Sequence, residues 1–132
     1  MIDAQIAMDD VQISWTDVKG ASALCFKFIG HFSEKLSIGA SKAWVNEMEG
    51  VAKSGQKIDF IWDCTKMESF DVASRKAWQS IMFRFKSNIG QVLVIGPNAV
   101  IGSVAKTLGV LMGFKIKVVR ESADLLSQLS AA

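Results

Sequence analysis

Residues 91–95, Gln-Val-Leu-Val-Ile, form a short apolar run rich in β-branched side chains, and this run constrains the fold more than any other feature. An apolar run without polar alternation is typical of a strand at the centre of a parallel sheet, where both faces are covered. The run is followed by Gly96-Pro97-Asn98, in which Asn98 is a favourable N-cap for a helix that ends near Gly113. A buried strand followed by a helix predicts an α/β layer structure.

The rest of the chain alternates strands and helices in the same way. Period-two alternation in Val11–Trp15 and the apolar run Ala23–Ile29 predict two strands that form a hairpin around Lys19-Gly20. The other predicted elements are a helix over Ile38–Lys53, a strand over Ile58–Asp63, a helix over Val72–Ser87, a strand over Lys115–Val119 and a helix over Glu121–Leu129. This order predicts one domain over residues 1–132, with a mixed, mostly parallel sheet of about five strands and about four helices packed on it.

Apolar residues at helical spacing predict which side of each helix faces the core. The predicted core positions are Ile38, Val45, Met48 and Ala52 in the first helix, Ala77, Trp78, Ile81, Met82 and Phe85 in the second, and Val100, Val104, Leu108 and Leu111 in the third. The third helix also carries a smooth stripe of Gly102, Lys106, Gly109 and Gly113. That stripe suits a homodimer seam or the wall of a ligand groove, and close packing within the molecule is the simpler alternative.

Composition excludes several classes of protein. The single histidine, His31, and the two cysteines, Cys25 and Cys64, offer neither a metal-ligand cluster nor a disulfide scaffold, and no cofactor is expected. A net charge of +2 falls short of a nucleic-acid-binding surface. The acidic amino terminus lacks the features of a signal peptide, so we expect a cytoplasmic protein. Gly96-Pro97-Asn98 interrupts the uncharged stretch 87–105, which argues against an integral membrane segment.

Catalysis is not expected either. A hydrolase would have to pair His31 with Ser33 or Cys64 and use Asp63 as the orienting carboxylate. The sequence has no Gly-x-Ser-x-Gly elbow, and a lone histidine in a loop is usually part of a polar surface. We therefore predict no catalytic residue and no enzyme activity.

The segment Asp63-Cys-Thr-Lys-Met-Glu-Ser-Phe-Asp71 resembles the strand-loop segment of the STAS domain, the family of sulfate transporters and SpoIIAA-type anti-sigma-factor antagonists. The family pattern, Asp-Leu-Ser-x-Val-x-x-Ile-Asp-Ser-Ser-Gly, is matched at Asp63, Thr65, Met67, Phe70 and Asp71. The order of elements over residues 11–130 is also similar. The resemblance implies a non-enzymatic regulatory or adaptor domain that contacts a protein partner, such as a kinase-like regulator.

This sequence departs from the family pattern at the phosphorylated position. In regulatory members the second serine after the second aspartate accepts phosphate, and Ala73 stands there in this chain. The side chain of alanine has no oxygen that could accept phosphate, so the family's phosphorylation switch cannot operate at that position. Ser69 and Ser74 flank it and are alternative acceptors, while Asp71 is also a natural N-cap for the second helix.

Positive charge is concentrated in the second half of the chain. Its eight Lys and Arg residues all lie between Val72 and Arg120, a window without a single acid. The second helix carries an aromatic residue within this basic face, which favours contact with an acidic protein or an anionic headgroup. A solvated face, or a phenylalanine covered by a neighbouring element, is the alternative. The predicted partner-binding residues are Ser69, Asp71, Ser74, Arg75, Lys76, Gln79, Phe83 and Lys86.

A small-ligand carrier is the second functional hypothesis. The amino-terminal end of the third helix presents free N–H groups, and the candidate anion or ligand site there consists of Gly96, Asn98, Gly102 and Lys106. An interior rich in tryptophan and methionine would leave an apolar pocket for a lipid-like or nucleotide ligand. The residues in question are Trp44, Met48, Trp62, Met67, Trp78, Met82 and Met112. If these side chains pack without a cavity, the carrier hypothesis fails.

Overall fold

The computed structural model describes residues 9–18, 21–113 and 115–120. Its strands are β1 (Asp10–Val18), β2 (Ala21–Phe32), β3 (Ile58–Phe70), β4 (Ile89–Ile95) and β5 (Lys115–Val119). Its α-helices are α1 (Glu34–Ser54), α2 (Val72–Arg84) and α3 (Ala99–Met112), with a 3₁₀ turn at Lys86–Asn88. All elements predicted between residues 11 and 119 are present, but β3 continues to Phe70 beyond its predicted end at Asp63, and α2 ends at Arg84 before its predicted end at Ser87. The last predicted helix, Glu121–Leu129, lies outside the described residues.

The five strands are hydrogen-bonded in chain order, β1-β2-β3-β4-β5. β1 and β2 form the predicted antiparallel hairpin, and the pairs β2–β3, β3–β4 and β4–β5 are parallel. Each parallel connection contains one helix. Because right-handed crossovers between successive neighbouring strands deliver their helices to the same side, α1, α2 and α3 all pack on one face of the sheet. Because β2, β3, β4 and β5 are parallel, their carboxyl ends meet at one edge of the sheet.

An aromatic cluster fills the space between the sheet and the helices. The rings of Trp44 and Trp78 have centroids 4.7 Å apart, and Phe26 of β2 lies 5.1 Å from Trp44 and 5.2 Å from Trp78. Such tilted and edge-on pairs contribute about 0.5–1.5 kcal/mol each beyond the area that they bury. Val92 and Val94 face this cluster and Ile95 faces a smaller apolar cluster elsewhere in the core, so the predicted burial of β4 on both faces is confirmed.

The structure corrects the predicted core face of α1. Ile38 is 46% exposed and Ala52 is exposed. Met48 is fully buried as predicted and Val45 is half-buried against the core, and the other buried positions are Ser37, Ala40, Ser41 and Trp44. The physical reason is close packing, because small side chains let α1 approach α2 until the Ser37 hydroxyl donates to the Ser74 carbonyl oxygen at 2.9 Å.

The predicted core face of α3 is also wrong in part. Val100 and Leu111 are 67% and 70% exposed, whereas Gly102 and Gly109 are buried. A Cβ added to Gly109 would lie 3.0 Å from Cγ1 of Ile116 on β5. Gly102 and Gly109 therefore take part in close packing within the molecule, the simpler of the alternatives, while Lys106 and Gly113 of the same stripe are exposed. The predicted ends of the helix, Asn98 and Gly113, are confirmed.

Candidate functional site

An apolar cavity of about 60 Å³ lies between the sheet and the beginnings of α2 and α3. Among the side chains that line it are Trp62, Cys64, Met67, Trp78, Ala105 and Leu108. Of the tryptophan and methionine residues expected at a pocket, three therefore line this cavity: Trp62, Met67 and Trp78. Trp44, Met48 and Met82 are fully buried in the core away from the cavity, and Met112 is half-buried at the edge of that core.

Two nitrogen atoms of residues at this cavity have no hydrogen-bond partner among the described residues. Trp62 is only 5% exposed, and its Nε1 is buried and unpartnered. Arg75 is half-buried, and its Nε is likewise buried and unpartnered. Arg75 was predicted as a partner-binding residue on the basic face of α2, and the structure places it half-buried at this cavity instead. An unpartnered buried N–H costs about 1–3 kcal/mol, so a hydrogen-bond acceptor within reach of either nitrogen would lower the free energy of the folded state.

An open groove of about 510 Å³ adjoins the cavity and shares Phe70 and Ile101 with it. Asn98 joins its two walls, since its Oδ1 accepts from the Ile101 N–H at 3.0 Å and its Nδ2 donates to the Glu68 carbonyl at 3.1 Å. The groove is lined by residues 68–70 and 98–101.

Of the four residues in the predicted anion site, only Asn98 lines this groove. Gly96 has φ of +60° and lies against Thr65, whose Oγ1 would be 2.9 Å from an added Cβ. Gly102 is buried against Pro97, and Lys106 is exposed further along α3. The structure therefore does not bring the four together at one site.

Three polar side chains lie in contact near the ends of β2 and β3. We call them the His31 cluster, and they are His31, Ser69 and Asp71. Nδ1 of His31 is 2.6 Å from Oγ of Ser69, and Nε2 is 2.8 Å from Oδ1 of Asp71. The other carboxylate oxygen of Asp71 accepts from the Glu34 backbone N–H at 3.0 Å. The bond from Glu34 and the bond to His31 hold the pKa of Asp71 below its usual value.

Local backbone structure places these groups. Gly30 has φ of +74°, and an added Cβ would collide with the carboxylate of Asp9, which accepts from the His31 N–H at 3.1 Å. The parallel register then pairs His31 with Ser69 across β2 and β3. Asp71 stands at the N-cap position of α2, as predicted, but its side chain makes no cap hydrogen bond to the helix and binds His31 instead.

The structure does not form the contacts of His31 with Ser33, Cys64 or Asp63 that a hydrolase was expected to need. The Ser33 hydroxyl accepts from the Leu36 N–H at 3.2 Å as the cap of α1, and Asp63 accepts from Thr65. Cys64 is 3% exposed, and burial raises the pKa of its thiol to about 12. No motif signals the histidine's actual partners, because the contact depends on the register of two strands distant in sequence.

The predicted partner-binding residues do not form one surface. Ser74 is fully buried, and its hydroxyl donates to the Asp71 carbonyl oxygen at 2.6 Å, so its expected role as an accessible acceptor is wrong. Gln79 is half-buried, while Lys76 is exposed. Lys86 does not continue the line of α2, because the helix ends at Arg84.

Phe83 is 69% exposed, so the alternative in which a neighbouring element covers it is wrong. It lines an open groove together with four cationic side chains, Lys57, Arg84, Lys86 and Lys115. Within residues 9–18, 21–113 and 115–120, the one contact of salt-bridge length between a basic and an acidic side chain joins His31 to Asp71, so these cations pair with no described carboxylate. We call Phe83 and these four cations the basic groove.

The basic groove and the His31 cluster lie at opposite edges of the sheet. The basic groove includes residues near the amino ends of β3, β4 and β5, and the cluster lies near the carboxyl ends of β2 and β3. In the part of the chain that the structure describes, no group of three or more His, Cys, Asp or Glu side chains could hold a metal ion. None of the described helices is both long and apolar enough to cross a membrane.

Comparison with known proteins identifies the fold. No family model and no curated protein matches the sequence. An uncharacterized DUF3478-family protein with a SpoIIAA-like fold from Shewanella loihica PV-4 matches with a TM-score of 0.79 and 13% identity, over 95% of this chain and 98% of that one. The chain has the SpoIIAA-like fold.

The anti-sigma factor antagonist SpoIIAA in its unphosphorylated form also matches, with a TM-score of 0.63 and 9% identity over 92% of this chain and 99% of that chain. The resemblance noted in the sequence is therefore confirmed at the level of the fold, as is the mixed, mostly parallel five-stranded sheet. Identities this low show a shared fold, and function has to be argued from the sites themselves.

Proposed function

We propose that this SpoIIAA-like domain binds a small, largely apolar ligand that carries a hydrogen-bond acceptor, and that it does so without enzymatic turnover. The observation that carries the proposal is the indole N–H of Trp62, which is buried beside an apolar cavity and has no partner among the described residues. Natural interiors satisfy nearly all of their buried polar groups. An acceptor on a bound ligand would satisfy this one.

The lining of the cavity indicates the class of ligand. Aromatic and aliphatic side chains dominate it, so a nucleotide would lose the hydration of its phosphates without gaining partners. Arg75 supplies positive charge and an unpartnered Nε, and a guanidinium group favours a carboxylate. A medium-chain monocarboxylate therefore suits the cavity better than a nucleotide.

The size of the cavity adds a constraint. About 60 Å³ accommodates only part of such a molecule. The adjoining groove, which shares Phe70 and Ile101 with the cavity, has room for the remainder. A ligand that spans both spaces would bury its apolar part against these two side chains, at roughly 25 cal/mol for each Å² removed from water.

Calorimetric titration with octanoate tests this function. Ala105→Leu fills the cavity from α3 and should abolish binding, because Ala105 is 4% exposed and lines the cavity. Ala77→Leu is the matched control, since Ala77 is half-buried in an open groove between α1 and α2 and does not line the cavity. An absence of octanoate binding by the unaltered protein, or equal binding by both variants, would contradict the proposal.

Contact with an acidic protein partner is the second candidate function, and the exposure of Phe83 favours it. An exposed aromatic ring beside arginine is typical of an interface hot spot. The cations of the basic groove, which pair with no carboxylate in the described part of the chain, would attract an acidic surface and guide its approach. This function uses the opposite edge of the sheet from the cavity, so both can operate in one domain.

Affinity capture from the host's lysate tests the protein contact. A stoichiometric partner should be lost with Phe83→Ala and with Arg84→Glu. Lys106→Glu is the matched charge reversal, because Lys106 is an exposed cation on α3 outside the basic groove. Equal recovery with all three variants would show that this surface is not the interface.

A further inference from the structure

We propose that Ser69 is a nucleophile activated by His31, and that it accepts an acyl group from an activated ester or thioester. The inference goes beyond ligand binding and rests on a separate observation. Ser69, His31 and Asp71 are joined in that order by contacts of 2.6 and 2.8 Å. Nucleophile, base and orienting carboxylate are the three parts that covalent catalysis by serine requires.

The hydrogen bonds fix the direction of proton transfer. The Asp71 carboxylate, which also accepts from the Glu34 N–H, can only accept, so Nε2 of His31 carries the proton between them. In the neutral ring Nδ1 is then unprotonated and faces the Ser69 hydroxyl, which donates to it. His31 is thus oriented as a general base toward Ser69.

Ser69 is also accessible to a substrate. It is exposed and lines the open groove together with Phe70, Val100 and Ile101, whose side chains suit an apolar acyl group. Helix α3 begins in the same groove, and the positive end of its dipole would stabilise negative charge on the acyl oxygen. Of the other serines near this cluster, Ser74 is fully buried and Ser33 caps α1.

The reaction balances without an oxidant or a reductant. Ser69 Oγ forms a bond to the acyl carbon, and its proton passes to Nδ1 of His31. The bond from the acyl carbon to the leaving oxygen or sulfur breaks with its electron pair, and the leaving group takes the proton from His31. Asp71 remains ionised and stabilises the transient imidazolium. The product is an ester on Ser69, formed once per chain.

Incubation with p-nitrophenyl acetate tests the inference, with p-nitrophenolate release followed by absorbance and the acetyl group located by peptide mass spectrometry. We expect one acetyl group on Ser69, none at this position in Ser69→Ala, and no change in Ser80→Ala. Ser80 is the matched control because it is exposed and its hydroxyl bonds only the Lys76 carbonyl oxygen among the described residues. His31→Gln should slow acetylation of Ser69 by about 100-fold or more.

A second measurement needs no variant, and so does not depend on whether the variants fold. A fluorophosphonate probe should form a covalent adduct on Ser69 of the unaltered protein. An unlabelled Ser69, an acetyl group found only at other positions, or equal acetylation of Ser69 in a folded His31→Gln variant would each overturn the proposal.

Discussion

Gly109 of α3 packs directly on Ile116 of β5, and a Cβ on this glycine would lie 3.0 Å from Cγ1 and 3.2 Å from Cβ of the isoleucine. Both residues are held by regular structure, so neither can move away easily. The contact explains why a helix of the core carries a residue that weakens helices.

Gly109→Ala should therefore destabilise the domain, although alanine is the better helix former by about 1 kcal/mol. The crowding at Ile116 is of the overpacking type, which costs about 1–3 kcal/mol. Gly39→Ala is the matched control in α1, because nothing lies within 4 Å of the added Cβ. Urea unfolding should show lower stability for the first variant and a gain of about 0.5–1 kcal/mol for the second. Equal changes in both would contradict the packing argument.

The helices α1 and α3 show where sequence patterns predict structure and where they fail. Asn98 and Gly113 bound α3 as predicted, because caps depend on local backbone geometry. The predicted core faces of α3 and α1 were wrong at Gly109 and Ser37. Close packing selects small side chains at these positions, and a pattern of apolar residues does not detect them.

The site was predictable to a lesser degree. Abundant tryptophan and methionine indicated an apolar pocket, and Trp62 is among the residues that line it. The contact of His31 with Ser69 was not predictable, because it requires β3 to continue to Phe70 and two register shifts between β2 and β3. Parallel register is set by packing over the whole sheet and has no local sequence signal.

Asp71→Asn should lower stability in a pH-dependent way. The pKa of Asp71 is lowered in the folded state, first by the Glu34 N–H and then by His31, so the ionised carboxylate stabilises the fold. That contribution is present above the pKa of the unfolded chain, about 3.9, and is lost as the pH falls through the lower folded value. Urea unfolding at several pH values should show the gap between the two proteins closing in acid.

His31→Gln separates the two causes of this pKa shift. It removes the imidazole, which lowers the pKa through its hydrogen bond and through its charge, and leaves the hydrogen bond from Glu34, which is the largest single cause. Part of the pH dependence should therefore remain in this variant. A complete loss would show that His31, and not the backbone N–H, keeps Asp71 ionised.

The two cysteines should differ in reactivity. Burial, and to a smaller extent the charge of Asp63, raises the pKa of the Cys64 thiol to about 12. Cys25 is only half-buried, and burial raises its pKa as well. Because the thiolate is the reactive form, iodoacetamide should modify Cys25 before Cys64 in the folded protein, and both rapidly in urea. Modification of Cys64 first would contradict the placement of its side chain in the core.

Trp62→Phe should weaken octanoate binding by about tenfold, because it removes the indole N–H that we propose to donate to the carboxylate and leaves an aromatic ring beside the cavity. Trp44→Phe is the matched control. Trp44 also has a buried, unpartnered Nε1, but it does not line the cavity, so its replacement should leave octanoate affinity unchanged. Calorimetry on both variants measures the difference. An equal loss in both would mean that affinity depends on the aromatic core as a whole. An unchanged affinity in Trp62→Phe would mean that the ligand does not accept from this nitrogen.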